Sequence, residues 1–160
     1  MENRWSVDGV KLERSGYRDL EINDRHRMWG FDCPAVDIDF LMIEYDNSEP
    51  RMLVEYKNWT VPAPDWGSST MQAIRNVADH YHTIGGNGEF EHKPLPFIVA
   101  HYRKTDWMFS VKPMNMIAVE HYGQGGQMTE REYVSALYRV RGREVTSTVM
   151  ARLLHVETAH

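Results

Sequence analysis

Asp37, Asp39, Glu55 and Lys57 are the residues of this chain whose types and spacing could do chemistry. Carboxylates are ligands for a hard divalent cation, and a neighbouring ammonium can stabilise negative charge that develops beside it. They sit in two stretches, Val36-Asp37-Ile38-Asp39-Phe40-Leu41-Met42-Ile43 and Leu53-Val54-Glu55-Tyr56-Lys57, on either side of a turn from Asp46 to Pro50. Successive strand side chains point to opposite faces, so Asp37, Asp39, Leu41 and Ile43 share one face, as do Leu53, Glu55 and Lys57. A loop over Asp46 to Pro50 pairs Tyr45 with Arg51 and sets Asp39 opposite Lys57. Glu55 is then the diagonal neighbour of Asp39, roughly 5–8 Å away by Cβ and within reach of a shared ion. A solvated hairpin is the competing reading, because a bare Glu-x-Lys arises by chance in many proteins. The flanks weigh against it. Phe40 to Ile43 and Met52 to Val54 are nearly continuous apolar runs, the mark of strands covered on both faces. Carboxylates entering such a sheet lose solvation unless a cation or a donor compensates, and Asp37 beside Asp39 adds repulsion that a bound cation relieves.

On Asp39, Glu55 and Lys57, and more loosely on the elements that follow, the chain resembles the PD-(D/E)xK nuclease superfamily. The resemblance implies an α/β fold with a restriction-endonuclease-like core: a helix, an antiparallel meander, a crossover helix and a further parallel strand, giving a mixed central sheet with flanking helices. It implies a metal-dependent nuclease that hydrolyses DNA phosphodiester bonds. Asp39, Glu55 and the backbone carbonyl of Tyr56 would hold one or two Mg²⁺ or Mn²⁺ ions, since all-oxygen ligation suits these cations. Lys57 would position the attacking water or support the pentavalent transition state as a compact cation. Pro34 stands three residues before Asp37 rather than directly before the catalytic aspartate. Some members carry an acidic residue two positions before that aspartate, which favours Asp39 and leaves Asp37 as helper or alternative ligand. Members often place a polar residue on the crossover helix near the metal. Gln72 is that candidate here, against its reading as an exposed helix residue, and Glu21 is a further acidic candidate in the N-terminal helix.

The chain of 160 residues, 42% hydrophobic and 26% charged, is expected to form one domain over 1–160, with residues 1–15 as a loose N-terminal arm or an edge strand. No apolar stretch approaches the roughly 18 residues that suggest a membrane span. The N-terminus lacks an apolar signal region, and Cys33 is the only cysteine, so a cytoplasmic compartment is expected and no disulfide or cysteine-based zinc site. The net charge of −5 argues against a protein that coats DNA through charge alone. An acidic nuclease still needs a local basic face. Arg25-His26-Arg27, just before the acidic stretch, is the best placed for substrate binding; Arg103-Lys104 and the arginines at 139, 141 and 143 are further candidates, although charge runs usually face water. With no separate recognition domain in view, a homodimer or a partner protein is expected to supply targeting. The small size suits a phage or mobile-element repair or recombination nuclease. The alternative is a catalytically inactive nuclease-like domain that binds nucleic acid or a protein partner.

The elements that must position these residues follow from periodicity. Tyr17 to Trp29 reads as a helix stopped by Gly30, and Trp59 to Gly67, with Pro62 and Pro64, as a loop. Ser68, Ser69 and Thr70 offer N-caps for a helix to about His82, with Met71, Ile74, Val77, Ala78 and Tyr81 as its buried stripe and Arg75, Asp79 and His82 in solvent. Gly85-Gly86-Asn87-Gly88 ends it. Phe97 to Arg103 and Trp107 to Lys112 form a hairpin about Lys104-Thr105-Asp106. The strand–helix–strand from Arg51 to Arg103 is a crossover unit, expected to be right-handed. Thr129 and Glu132 make a capping box for a helix ending near Gly142, and Val145 to His155 forms a last helix. His80 and His82 fall on different helix faces, His101 and His121 are scattered, and no His-Glu-x-x-His occurs. Neither glycine cluster continues into Gly-Lys-Ser/Thr, so no P-loop is indicated. Trp59 and Trp66 flank the site and are candidates to touch substrate.

Overall fold

The computed structural model describes residues 6–7, 10–11, 36, 38–44, 46–63 and 65–157, with side chains only for those between 36 and 153. The chain divides into two units, residues 1–35 and 36–160. In the first, β1 (Ser6–Val7) and β2 (Val10–Lys11) pair antiparallel. The expected helix over Tyr17 to Trp29 lies outside the described residues, and with it Glu21, Arg25, His26 and Arg27.

The second unit runs β3 (Phe40–Glu44), β4 (Glu49–Asn58), α1 (Ser69–Asp79), β5 (His82–Ile84), β6 (Phe90–His92), β7 (Phe97–Arg103), β8 (Met108–Pro113), α2 (Met116–Tyr122), β9 (Gly126–Met128), α3 (Glu130–Val140) and α4 (Ser147–Glu157). Five of these strands form one mixed sheet in the order β3-β4-β7-β8-β9; β4 and β7 are parallel and the other neighbours antiparallel. This is an α/β fold in which α1 connects the parallel pair. β5 and β6 form a separate hairpin.

Strand alternation divides the sheet's side chains between two apolar layers. Met52, Val54, Ile98, Ala100, Phe109 and Val111 pack against Ala118 and Tyr122 of α2 and Tyr133, Ala136 and Val140 of α3. On the other face Leu53, Phe97 and Val99 meet Met71, Ile74 and Ala78 of α1. Glu55, Lys57 and His101 continue that second row past the end of the apolar layer. Tyr56, between Glu55 and Lys57, points the opposite way. It accepts a hydrogen bond from the Tyr133 hydroxyl at 2.8 Å and stands edge-on to Phe40, with ring centres 5.0 Å apart. Burial pushes the Tyr56 phenol above its usual value and the Tyr133 phenol well above it, so both stay neutral. That anchorage fixes the backbone from which Glu55 and Lys57 project.

α1 starts where the sequence suggests: the Ser68 side chain accepts from the Met71 amide at 3.4 Å. It ends at Asp79, earlier than expected, and the glycine cluster turns the β5–β6 hairpin instead of stopping a helix. Val77 is 53% exposed, contrary to expectation. At about 100° per residue it lies roughly a quarter turn from the centre of the stripe set by Met71, Ile74 and Ala78. Asp79 also departs from expectation: it is half-buried, pairs with Arg75 at 3.3 Å and accepts from Asn115 at 2.8 Å. Ile74 is 1% exposed between helix and sheet. Ile74→Ala is expected to lower unfolding free energy by about 2–5 kcal/mol in a denaturant titration.

Asn115, buried at the N-cap of α2, ties several elements together. Its Oδ1 accepts from the amides of Phe97 at 3.1 Å and Ala118 at 3.0 Å; its Nδ2 donates to Asp79 Oδ1 and to the Leu95 carbonyl, both at 2.8 Å. β9 returns along β8 through Gly125, whose φ is +78° and at which any Cβ would collide with the Val111 carbonyl. The capping box holds: Thr129 Oγ1 accepts from the Glu132 amide at 3.3 Å, and the Thr129 amide donates back to Glu132 at 2.8 Å.

The arginines after α3 are engaged with acidic groups. Arg141 donates to both oxygens of the buried Glu44 at 3.2 Å, and Arg143 reaches Glu44 at 3.0 Å and Asp46 at 2.6 Å. The Arg141 hydrogen bond, above all, holds the Glu44 carboxyl below its usual range. A depressed folded-state pKa contributes stability above the unfolded value, and this is lost as pH falls through the folded one. Arg141→Leu is therefore expected to move the acid-unfolding midpoint, followed by circular dichroism, to higher pH.

Candidate functional site

The register between β3 and β4 decides which charged groups meet. Glu44 pairs with Glu49 around a turn at Asp46 to Ser48, tighter than the loop expected from sequence, with Ser48 at φ 54°. A bulge follows: Ile43 pairs with Pro50 and Met42 with Met52, leaving Arg51 without a β3 partner. The ladder ends with Phe40 opposite Val54. One further step sets Asp39 opposite Glu55, not opposite Lys57. The tighter turn and the bulge together shift the register by two residues. An even shift preserves parity, so Asp39 keeps the face of Glu55; an odd one would have turned it away.

The chain bends at Asp39, and its Oδ2 accepts from the Tyr56 amide at 2.9 Å, where a ladder carbonyl would otherwise stand. Paired strand residues present N–H and C=O to the same edge, so the Tyr56 carbonyl opens beside Asp39, past the last β3 partner. Glu55 is 6% exposed. Lys57 donates to its Oε1, while its Oε2 is buried with no partner. Buried carboxylate oxygens are normally satisfied, so this one marks a place for a donor or a cation.

The parallel ladder aligns Glu55 with Val99 and Lys57 with His101. His101 thus joins the same face, and its Nε2 is buried with no partner. Burial, and then the Lys57 charge, pushes its pKa below the usual histidine value. The Trp66 ring stands edge-on to the imidazole, with centres 6.2 Å apart, and the Lys112 ammonium lies 4.0 Å from the Trp66 ring centre. The sequence gives no signal for His101 beyond its place in an apolar run, because its adjacency to Lys57 arises from pairing across the crossover.

The remaining sequence candidates separate. Asp37 lies outside the described residues, as do Arg25, His26 and Arg27. Gln72 is exposed in the first turn of α1, and its side chain bonds to no described residue. Trp59 is partly exposed beneath the Arg103 guanidinium, which itself pairs with Asp106 at 2.5 Å. Among the described residues no three acidic or histidine side chains converge as a ready-made cluster. The donor chemistry still suits a hard cation: an unpartnered carboxylate oxygen on Glu55, the second oxygen of Asp39 and the Tyr56 carbonyl are all oxygen ligands.

No family model, curated protein or solved structure matches this chain. No helix among the described residues is long and apolar enough to cross a membrane.

Proposed function

We propose that this chain is a metal-dependent deoxyribonuclease of the PD-(D/E)xK type, acting in the cytoplasm, with Asp39, Glu55 and the Tyr56 carbonyl as ligands of Mg²⁺ or Mn²⁺. The observation that carries this reading is Glu55: a carboxylate buried in the sheet, one oxygen unpartnered, with Lys57 on the other. Its position adds support, since ligands of open α/β sheets bind toward the carboxyl ends of parallel strands, and Glu55 and Lys57 lie in that half of β4.

Bound there, the ion would lower the pKa of a coordinated water and neutralise charge on the attacked phosphate. The protein supplies the rest. Glu55 and Asp39 bring opposing charge to one edge of the sheet, and the Asp39 bond to the Tyr56 amide fixes the spacing between them. Lys57, held on Glu55 and half-buried, places a preorganised positive charge where the pentavalent phosphate gathers negative charge. Acting on DNA in phage or mobile-element repair or recombination, the chain would take its targeting from a second copy or a partner protein.

Calorimetric titration with Mn²⁺, paired with cleavage assays on single-stranded, duplex and branched DNA, tests the reading. Wild type is expected to bind Mn²⁺, and Asp39→Ala and Glu55→Ala to abolish that binding. A wild-type protein that neither binds Mn²⁺ nor cuts DNA would end the proposal. One that binds Mn²⁺ and cuts nothing would make the chain a nuclease-like binding domain.

A further inference from the structure

The face that carries Glu55 and Lys57 extends across two more strands. His101 on β7 is the register partner of Lys57, and on β8 Ser110 stands opposite His101 and Lys112 opposite Val99. Alternation therefore gathers Lys57, His101, Ser110 and Lys112 on one side of the sheet. Trp66 links His101 and Lys112: it stands roughly perpendicular to the imidazole, with ring centres 6.2 Å apart, and carries the ammonium over its face at 4.0 Å.

His101 has an unmet need. Its Nε2 is buried and unpartnered, although the great majority of buried polar side-chain atoms find a partner. The sign of the missing ligand follows from the neighbours. Lys57, its register partner on β4, stands on one side, and Lys112 lies beyond Trp66 on the other. Glu55 already engages Lys57. A cation beside His101 would meet repulsion, whereas an anion would meet two ammonium groups and an imidazole N–H. Strands lie about 4.8 Å apart, so the row from β4 to β8 spans about 10 Å. A nucleic-acid strand carries one charge per about 3.4 Å of helix axis, so that length covers about three phosphates.

We propose that Lys57, His101 and Lys112, backed by Trp66, form a phosphate-binding row that receives the sugar–phosphate backbone of a nucleic-acid strand beside the hydrolytic site. The identity of the ligand rests on the nuclease reading above; the row itself is tested without turnover.

Fluorescence anisotropy of labelled single-stranded and duplex DNA, in EDTA and over a range of salt, provides the test. Lys112→Ala is expected to weaken binding about fivefold or more and to reduce the slope of log K against log salt by about one phosphate contact. His101→Ala should weaken binding with the salt slope unchanged, because a neutral hydrogen bond carries no counterion. His101→Gln, which keeps an N–H donor, should recover part of the loss. Arg131→Ala, on α3 across the sheet, should bind as wild type. Thermal melts establish that each variant is folded, and Lys112 is exposed, so its variant decides even if His101→Ala is unstable. Wild-type affinity in folded Lys112→Ala overturns the row, and so does full displacement of DNA by equimolar inorganic phosphate. If Glu55-dependent cleavage persists alongside wild-type affinity in Lys112→Ala, the row falls and the nuclease reading stands. If binding weakens as expected but the wild type cuts nothing with either metal, the row stands and the nuclease reading falls.

Discussion

Lys57→Ala is expected to lower the rate of phosphodiester hydrolysis by about two orders of magnitude or more, the scale seen when one preorganised electrostatic contact is removed. The ammonium is held in place before substrate arrives, by Glu55 on its own strand and by burial of its stem, so little reorganisation is required during reaction. Mn²⁺ binding should survive, because both carboxylates remain and a competing cation has gone. Stability gives a second readout. Without Lys57, both oxygens of a nearly buried carboxylate lack their side-chain partner, which costs about 1–3 kcal/mol in EDTA. Added Mn²⁺ should restore much of that loss, since a ligand that binds only the folded state stabilises it by mass action. Equal cleavage rates for wild type and variant, measured at saturating Mg²⁺ and Mn²⁺, would remove Lys57 from the mechanism.

The largest effect on folding is expected at Asn115. Asn115→Asp preserves shape and volume but replaces the Nδ2 donor with an oxygen facing Asp79 Oδ1 and the Leu95 carbonyl, each 2.8 Å from the nitrogen. A buried negative charge would then face two acceptors. The loss should reach about 3–5 kcal/mol by urea titration at pH 7, a large share of the 5–15 kcal/mol typical of a domain. The sign of its pH dependence is distinctive. The introduced carboxyl has a pKa raised above its unfolded value of about 3.9, so protonation returns one donor and the penalty shrinks as pH falls through the raised value. Asn115→Asp should therefore gain stability relative to wild type on mild acidification. A uniform deficit from pH 7 to pH 4 would show that the contact to Asp79 and Leu95 is not the cause.

Local signals made part of the molecule legible. Phe97 to Arg103 is an apolar run closed by a polar turn, and Thr129 with Glu132 is a pair whose meaning is confined to one helical turn. The shared face of Glu55 and Lys57 needed only the two-residue period of a strand. Where structure depends on distant partners, the sequence falls silent. α2 is short, and its cap, Asn115, is bonded to residues 18, 20 and 36 positions away. The β5–β6 hairpin and β9 are built largely from glycine and polar residues, which carry no apolar period. The register of β3 on β4 depended on a bulge at Arg51; Pro50 beside it is compatible with a bulge but equally with the end of a turn from Asp46. His101 was invisible as a neighbour of Lys57 because the parallel ladder joins segments separated by α1.

The bulge at Arg51 also separates two parts of the hairpin that would otherwise share one fate. On one side lies an exposed turn at Asp46 to Ser48; on the other, Met42, Met52 and Val54 are locked into the apolar layer beneath Tyr133. A residue gained or lost at the turn can be taken up in the irregular stretch, while the packed side chains keep Asp39 in step with Glu55. The hairpin therefore behaves as a handle with a fixed blade. Apart from the Asp46 carboxylate that Arg143 holds, its tip can vary in length or carry a reporter group while the acidic edge keeps its alignment.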